Sequence, residues 1–228
     1  MYRYETHCHT KYTSACSRLD AKTLVRMYKE SGYDGVVVTD HFLNGNTTVD
    51  RTLPWEEQIE SFCRGYERVK KEGDAVGLKV FFGFEYSYLG TDFLTYGLDK
   101  TWLKAHPHLL KLSVREYLKF TAESGALNVQ AHPFREADYI DHIRLFPSCV
   151  EGLETCNACR DDRCNRLADN LANEYGLLKI GGSDCHRESQ PILSGVETER
   201  PVENLAQLIA AIRSGQTFVF EIQNKFIQ

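Results

Sequence analysis

The sequence lacks the features that mark several large classes of protein. None of its apolar runs approaches the ~20 residues that a membrane-spanning helix needs. Residues 1–5 contain no apolar signal-peptide core, which favours a cytoplasmic location. Basic residues form no dense patch and the formal net charge is −5, which argues against long nucleic acid as a partner. The same features predict no membrane partner.

No G-x-G-x-x-G motif follows the first apolar run, which disfavours a dinucleotide-binding fold. The 228 residues are 42% apolar and 26% charged, which suits a single α/β domain over 1–228. Strand-like apolar runs lie at 2–6, 35–39, 78–83, 93–98, 126–131, 149–154, 177–181 and 217–221. Their alternation with helical patterns predicts a mostly parallel sheet, closed or nearly closed into a barrel, with helices outside it.

Helix signals separate several of these runs. Asp20 caps a predicted helix that ends at Ser31, and Pro54 lies near the start of a longer one that ends at Glu72. A capping box at 113–116 opens the next helix. Two further helical patterns span 158–175 and 202–214.

The eight cysteines are expected to be reduced thiols, since the chain is long and shows no secretion signal. Cys156, Cys159 and Cys164 form a C-x-x-C pair with a third thiol nearby. A closed zinc site needs four ligands, and no second pair is present. Their role therefore stays open.

Seven metal-binding side chains lie at or just past the ends of apolar runs. They occur in T-H-C-H-T, T-D-H-F, G-F-E-Y-S, Q-A-H-P-F and G-S-D-C-H, and comprise His7, His9, His41, Glu85, His132, Asp184 and His186. Strand ends are where barrel enzymes gather catalytic groups, and imidazole with carboxylate suits divalent metals. His7 and His9 are two apart and share one strand face. We expect Asp40 to orient an imidazole.

Other histidines lack this setting. His106 and His108 flank a proline with no apolar strand before them, and we predict a surface loop. His142 is interpreted as an ordinary surface residue in a helix.

The order of the motifs resembles that of the PHP (polymerase and histidinol phosphatase) family, and the resemblance spans about residues 5–186. The resemblance implies a distorted (β/α)7 TIM-like barrel holding two or three divalent cations, zinc, manganese or iron, in a cleft. It implies a first metal at His7, His9, Glu85 and Asp184, a second at His41 and His186, and a third at Glu85, His132 and Asp92.

Two positions depart from the family pattern. Asp92 stands where the family has a histidine, although a carboxylate can also bind a metal. Many members carry S-D-G after H-x-H-T, and its aspartate serves the second metal, whereas this chain has Thr-Ser-Ala-Cys at 13–16. Water, Ser14 and Cys16 are the alternatives for the missing ligand.

The implied chemistry is phosphate ester hydrolysis. Two cations ~3.5–4 Å apart can hold a phosphate oxygen and lower the pKa of a bound water to about 7. The hypothesis is that a metal-bound hydroxide hydrolyses a small-molecule phosphomonoester, such as histidinol phosphate or a nucleotide. Asp184 supplies charge, and His186 is placed to assist departure of the leaving oxygen.

A phosphate dianion also needs donors from the protein. Arg135, three residues after His132, is the first choice because guanidinium matches phosphate oxygens. Asn157 and Arg187 are further candidates for substrate binding, and Arg160 is a weaker one.

Three other functions remain open. Related metal sites in polymerases suggest an exonuclease or a cyclic phosphodiesterase acting on nucleotides. A metal-dependent amidohydrolase also begins with H-x-H on a barrel, but that class usually bridges its metals with a modified lysine, and Glu85 occupies that role here. A non-catalytic metal-binding module is the third. The oligomeric state is left open.

Overall fold

The computed structural model describes residues 1–227, which form nine β-strands and six α-helices. The strands are β1 Tyr2–Cys8, β2 Gly35–Val38, β3 Lys79–Tyr88, β4 Thr91–Tyr96, β5 Leu127–Ala131, β6 Gly152–Asn157, β7 Leu178–Gly182, β8 Ile192–Thr198 and β9 Thr217–Gln223. The helices are α1 Ala21–Glu30, α2 Trp55–Val76, α3 Lys100–Ala105, α4 Val114–Glu123, α5 Asp162–Tyr175 and α6 Leu205–Arg213.

The strands form one mixed sheet in the order β7-β6-β5-β4-β3-β2-β1-β8-β9. Pairing is parallel within β1–β3 and within β5–β7, where a helix intervenes between successive strands or the chain makes a long crossover. It is antiparallel at β3–β4, β4–β5, β1–β8 and β8–β9. The expectation of a mostly parallel sheet is therefore wrong at β4, β8 and β9. The short turn at Leu89–Gly90 allows only an antiparallel hairpin.

The sheet curves into a nearly closed barrel, which confirms the predicted TIM-like architecture. The closing seam joins β1 to β7 and the segment after it. At this seam the His9 amide donates to the Cys185 carbonyl at 3.1 Å, and Thr6 Oγ1 donates to the Gly181 carbonyl at 2.7 Å. The buried Glu5 carboxylate crosses the same seam and accepts from the Ser183 amide at 2.9 Å. Side chains thus replace part of a strand ladder.

A layer of apolar side chains occupies the barrel end where the parallel strands begin. Tyr4, Val37, Leu94 and Tyr96 are buried there against Ile209 and its neighbours on α6. Helix α6 therefore covers this end of the barrel. Functional side chains must use the opposite end.

The sequence signals located most helices. Asp20 caps α1 by accepting from the Thr23 amide, and Ser113 forms the predicted capping box of α4. Helix α2 continues past the predicted stop at Gly73 and ends at Gly77, which is left-handed with φ 68°. Gly73 instead allows α2 to pack closely against β3, because a Cβ at this position would lie 2.5 Å from the Val80 side chain.

Some elements differ from the expectation. Strand β8 and the short helix α3 were not predicted, and α5 begins at Asp162, four residues later than expected, because Asp161 caps it. His142 lies outside any helix, so its predicted helical setting is wrong, although it is exposed as expected. Within residues 1–227, no helix has the length and apolar character needed to cross a bilayer.

Candidate metal centre

The seven predicted ligands converge at the carboxyl end of the parallel strands. His7 lies in β1, His9 just beyond it, and His41 three residues after β2. His132 follows β5 directly, while Asp184 and His186 follow β7. Glu85 is not at a strand end: it lies within β3, in the part that extends beyond β2 and pairs with β4.

His7 and His9 form the centre of the cluster with two carboxylates. Their Nε2 atoms are 3.1 Å apart. Asp184 Oδ1 lies 3.5 Å from His7 Nε2 and 3.3 Å from His9 Nε2, and Glu85 contributes oxygens at 3.4 and 3.6 Å from the same two nitrogens. Ligand atoms that share one tetrahedral cation at ~2.0–2.2 Å lie about 3.3 Å from one another. The spacing fits a single divalent ion.

Two further groups of ligand atoms adjoin this one. His132 Nε2 lies 3.2 Å from Glu85 Oε1 and 3.9 Å from Asp92 Oδ2. With His7 and Glu85, it forms a group whose ligand atoms lie within 4.8 Å of one another, and His9, His41 and His186 form another. The arrangement is compatible with more than one cation.

Two buried polar atoms in the centre lack hydrogen bonds. Glu85 Oε2 and His41 Nδ1 form an ion pair 2.6 Å apart that lacks hydrogen-bond geometry, and neither atom has a hydrogen bond to any other group. Buried polar atoms are nearly always paired, so an exception calls for an unseen partner such as an ion. The residues present therefore fit a bound divalent cation.

A carboxylate outside the ligand set fixes His7. Glu154 Oε1 accepts from His7 Nδ1 at 2.9 Å, while its Oε2 accepts from the His132 amide and from Asn157 Nδ2, both at 2.9 Å. A carboxylate only accepts, so the neutral His7 ring carries its proton on Nδ1 and directs the Nε2 lone pair toward the centre. This is the usual support for a metal-binding histidine.

Ser14 connects Asp40 to His9. The Ser14 hydroxyl donates to Asp40 Oδ1 at 2.7 Å and accepts from His9 Nδ1 at 3.0 Å. It also accepts from the His41 amide at 3.0 Å. Asp40 therefore orients an imidazole, but the imidazole is that of His9 and the contact is indirect.

Burial and neighbouring charge set the protonation of the centre. Burial raises the pKa of the Glu85 carboxyl, but the nearby His41 and His7 outweigh it and hold the pKa well below its usual range. For His9, burial lowers the pKa, and the rings of His186 and His41 lower it further. For His7 and His41, burial lowers the pKa, but carboxylates outweigh it, chiefly Glu154 and Glu85 respectively, and raise the pKa. A bound metal must therefore displace a proton from these two rings.

Two ligands lie on strained backbone. His132 and Asp184 have φ values of 27° and 50°, in the left-handed region that side chains other than glycine rarely adopt. Such strain of ~1–3 kcal/mol persists at functional sites because the surroundings enforce it. Gly182 lies in β7, close to His7 and Glu154. A Cβ on Gly182 would lie 2.5 Å from Glu154 Oε1 and from His7 Cβ, so a larger residue would clash with both.

The predicted substrate-binding residues occupy different settings. Arg135 donates to Asp92 Oδ2 at 2.9 Å, and Arg160 lies 3.9 Å from Asp184 Oδ2. The Nε atoms of both arginines are buried without a partner. Asn157 is buried and donates to Glu154 and, at 3.4 Å, to Asp184, whereas Arg187 is exposed.

The cysteines near the barrel mouth contact different groups. Cys16, one alternative for the missing second-site ligand, lies with Sγ 3.2 Å from His41 Nε2. Burial raises the pKa of its thiol, but hydrogen bonds with His186 and His41 outweigh burial and lower the pKa to about 6. Cys156, Cys159 and Cys164 each contact different partners, namely Ser194, Asp184 and Phe134.

Comparison with known proteins connects this geometry to a family. A family model described as PHP-associated matches residues 162–217. No curated protein sequence matches the chain. The fold is similar to a two-domain protein from Bacteroides vulgatus that contains a predicted PHP-like metal-dependent phosphoesterase, with a TM-score of 0.71 and 15% identity over 96% of this chain. This chain spans 64% of that protein's length.

Two other solved structures share the fold. One is a candidate metal-dependent phosphoesterase from Bifidobacterium adolescentis, with a TM-score of 0.55 and 14% identity over 82% of this chain and 88% of that one. The other is an amidohydrolase from Chromobacterium violaceum with bound sulfate and no metal, with a TM-score of 0.59 and 12% identity over 95% and 97% of the two chains.

The fold is a nearly closed α/β barrel, similar to those of the PHP-like and amidohydrolase structures, with histidines and carboxylates clustered at one end. The PHP-associated match covers 56 of the 228 residues, and the PHP-like neighbours share the fold at 14–15% identity. Sequence reasoning missed the role of Ser14 as the link between Asp40 and His9.

Proposed function

We propose that this chain is a metal-dependent phosphomonoesterase. The observation that carries the proposal is the pair of arginines beside the carboxylates of the centre. Arg135 and Arg160 each bury an Nε atom without a partner, next to Asp92 and Asp184 respectively. Buried guanidinium donors without acceptors suit a ligand with several anionic oxygens, such as a terminal phosphate.

In this proposal the first cation is held by His7, His9, Glu85 and Asp184, the second by His41 and His186, and the third by Glu85, His132 and Asp92. When bound, such cations activate water and neutralise charge on the phosphoryl oxygens. The protein residues hold the ligand atoms in place: Glu154 fixes the proton of His7 on Nδ1, and the Ser14–Asp40 pair does the same for His9.

The arginines orient the substrate. Arg135 Nη2 donates to Asp92 Oδ2 and to the Gly90 carbonyl, so the guanidinium is already oriented before a substrate binds. Because little side-chain freedom is then lost on binding, its remaining donors can bind phosphate at low entropic cost. We propose Asn157 and Arg187 as further substrate contacts, and a small-molecule ester such as histidinol phosphate or a nucleotide as substrate.

Ester specificity tests the proposal. We expect the zinc- or manganese-loaded protein to hydrolyse p-nitrophenyl phosphate faster than bis(p-nitrophenyl) phosphate. Arg135→Ala and Arg160→Ala should each raise KM for the monoester about 10-fold or more, since a charge-assisted hydrogen bond contributes ~1.5–3 kcal/mol. Arg163→Ala is the control, because Arg163 is exposed and lies 3.9 Å from Glu136, away from the ligand atoms.

Other outcomes identify the alternatives. Preference for the diester would indicate an exonuclease or cyclic phosphodiesterase, and hydrolysis of amides alone would indicate an amidohydrolase. Tight metal binding without turnover of any of these substrates would leave the non-catalytic module. His9→Ala and Glu85→Ala should both remove metal and activity while leaving the far-ultraviolet circular dichroism unchanged, and normal turnover in either variant would refute the ligand assignment.

A further inference from the structure

The Cys16 thiol lies beside a group of three histidines. Cys16 is half-buried in the loop between β1 and α1, and its Sγ is 3.2 Å from His41 Nε2. The ligand atoms of His9, His41 and His186 all lie within 4.8 Å of one another. A sulfur atom is thus placed where histidines from the ends of three strands meet.

The lone pairs of two of these rings are free to bind a cation. His9 Nδ1 donates to Ser14 at 3.0 Å, and His186 Nδ1 donates to the Asp184 carbonyl at 2.7 Å. Each ring therefore keeps an unprotonated Nε2 when it is neutral. A nitrogen at ~2.0–2.1 Å and a sulfur at ~2.3 Å from one tetrahedral zinc lie about 3.5 Å apart. The distance from Cys16 Sγ to His41 Nε2 is close to that separation.

An independent observation indicates that a cation binds next to the His41 ring. Glu85 is fully buried, and its Oε2 faces His41 Nδ1 without a hydrogen bond. Glu85 reaches this point from β3, whereas Cys16 comes from the loop after β1. Glu85 Oε2 thus approaches the Nδ1 side of the His41 ring, while Cys16 Sγ approaches its Nε2 side.

We propose that Cys16 is a thiolate ligand of the second cation, beside His41 and His186. The proposal rests on the proposed function only in requiring that the centre binds divalent cations. A thiolate carries the same charge as the aspartate that it would replace but is a softer ligand. The second site should therefore favour zinc over manganese more strongly than a site of nitrogen and oxygen alone.

X-ray absorption on the zinc-loaded full chain tests the ligand directly. We expect a zinc–sulfur shell at ~2.3 Å in addition to the nitrogen and oxygen shell at ~2.0–2.1 Å, with about one sulfur for every two or three zinc ions. Cys16→Ser should lose the sulfur shell. Cys149→Ser should keep it, because Cys149 is equally half-buried but contacts Arg115 on α4.

A carboxylate at the same position provides the second variant. Cys16→Asp should bind as many ions as the unaltered chain, lack the sulfur shell, and lose about 10-fold or more of the zinc preference in competition with manganese. Zinc bound to the unaltered chain with nitrogen and oxygen neighbours only would overturn the Cys16 assignment and leave the phosphomonoesterase proposal intact. Failure to bind any divalent ion would overturn both.

Discussion

Replacing Glu154 with glutamine tests whether the tautomer of His7 is set from outside the centre. Glu154 Oε1 accepts from His7 Nδ1, and Oε2 accepts from the His132 amide and from Asn157. Glutamine keeps only one acceptor oxygen. That oxygen is expected to remain where two donors converge, which turns the amide N–H₂ toward His7. His7 must then accept at Nδ1 and carry its proton on Nε2, the atom that faces the other ligands.

The expected loss of affinity follows from this tautomer change. Removing the partner of a metal-binding histidine typically lowers affinity 10–100-fold, or about 1.4–2.8 kcal/mol. The alternative orientation of the glutamine would preserve His7 but place N–H₂ against two donors, which costs about 1–3 kcal/mol per unpaired group. Both orientations therefore weaken the centre by a similar amount.

Chelator competition measures the zinc affinity, and long-range ¹H–¹⁵N NMR reports which His7 nitrogen carries the proton in the metal-free protein. Glu151→Gln is the control, because Glu151 lies just before β6 and pairs with Arg213 at the opposite end of the barrel. An unchanged affinity together with an Nδ1-protonated His7 in Glu154→Gln would refute the reasoning.

Three further predictions concern stability. Gly65→Ala should lower the free energy of unfolding in urea by about 1–3 kcal/mol, because the new Cβ would clash with Asp40 Oδ2 and Thr10 Oγ1. Helix propensity alone predicts that alanine stabilises α2, so a more stable variant would contradict the expected clash. Burial raises the pKa of Glu5 from 4.5 to about 7, so the folded carboxyl is protonated while the unfolded one is ionised. The free energy of unfolding should therefore fall by up to about 3 kcal/mol as pH rises from about 4.5 to 7, and metal-free Glu5→Gln should lose this slope; parallel pH curves would exclude the effect. Zinc at 100 times its Kd should raise Tm by about 5–10 °C, and a chelator should reverse the shift. A Tm that zinc does not change would argue against a cation that binds only the folded chain.

The barrel and the converging ligands followed from the sequence because parallel strands bring their carboxyl ends to one edge. His7, His41 and His132 each follow or end an apolar run, and the structure gathers them as expected. Strand β8 was missed because Gly195 and two polar residues interrupt its apolar pattern. The end of α2 was placed too early, at Glu72, because the contact of the next residue, Gly73, with Val80 is tertiary and cannot be seen in the local sequence.

Loop geometry accounts for most of what the sequence did not predict in the centre. The segment 9–20 contains no periodic pattern, so neither the bridge from Ser14 to His9 nor the approach of Cys16 to His41 could be placed. Asp40 was expected to orient an imidazole, but the sequence did not show which one, because the turn after β2 directs its carboxylate to Thr10 and Ser14. Such contacts depend on loop conformation rather than on residue spacing.

The seam between β1 and β7 has a mechanical consequence. Strands on its two sides are joined there by side-chain hydrogen bonds and by the His9–Cys185 contact in place of a regular ladder. His9 lies on one side of this join and Asp184 on the other, with 3.3 Å between their ligand atoms. A cation bound by both residues would join the two sides of the seam. Metal binding and closure of the barrel wall would then be coupled.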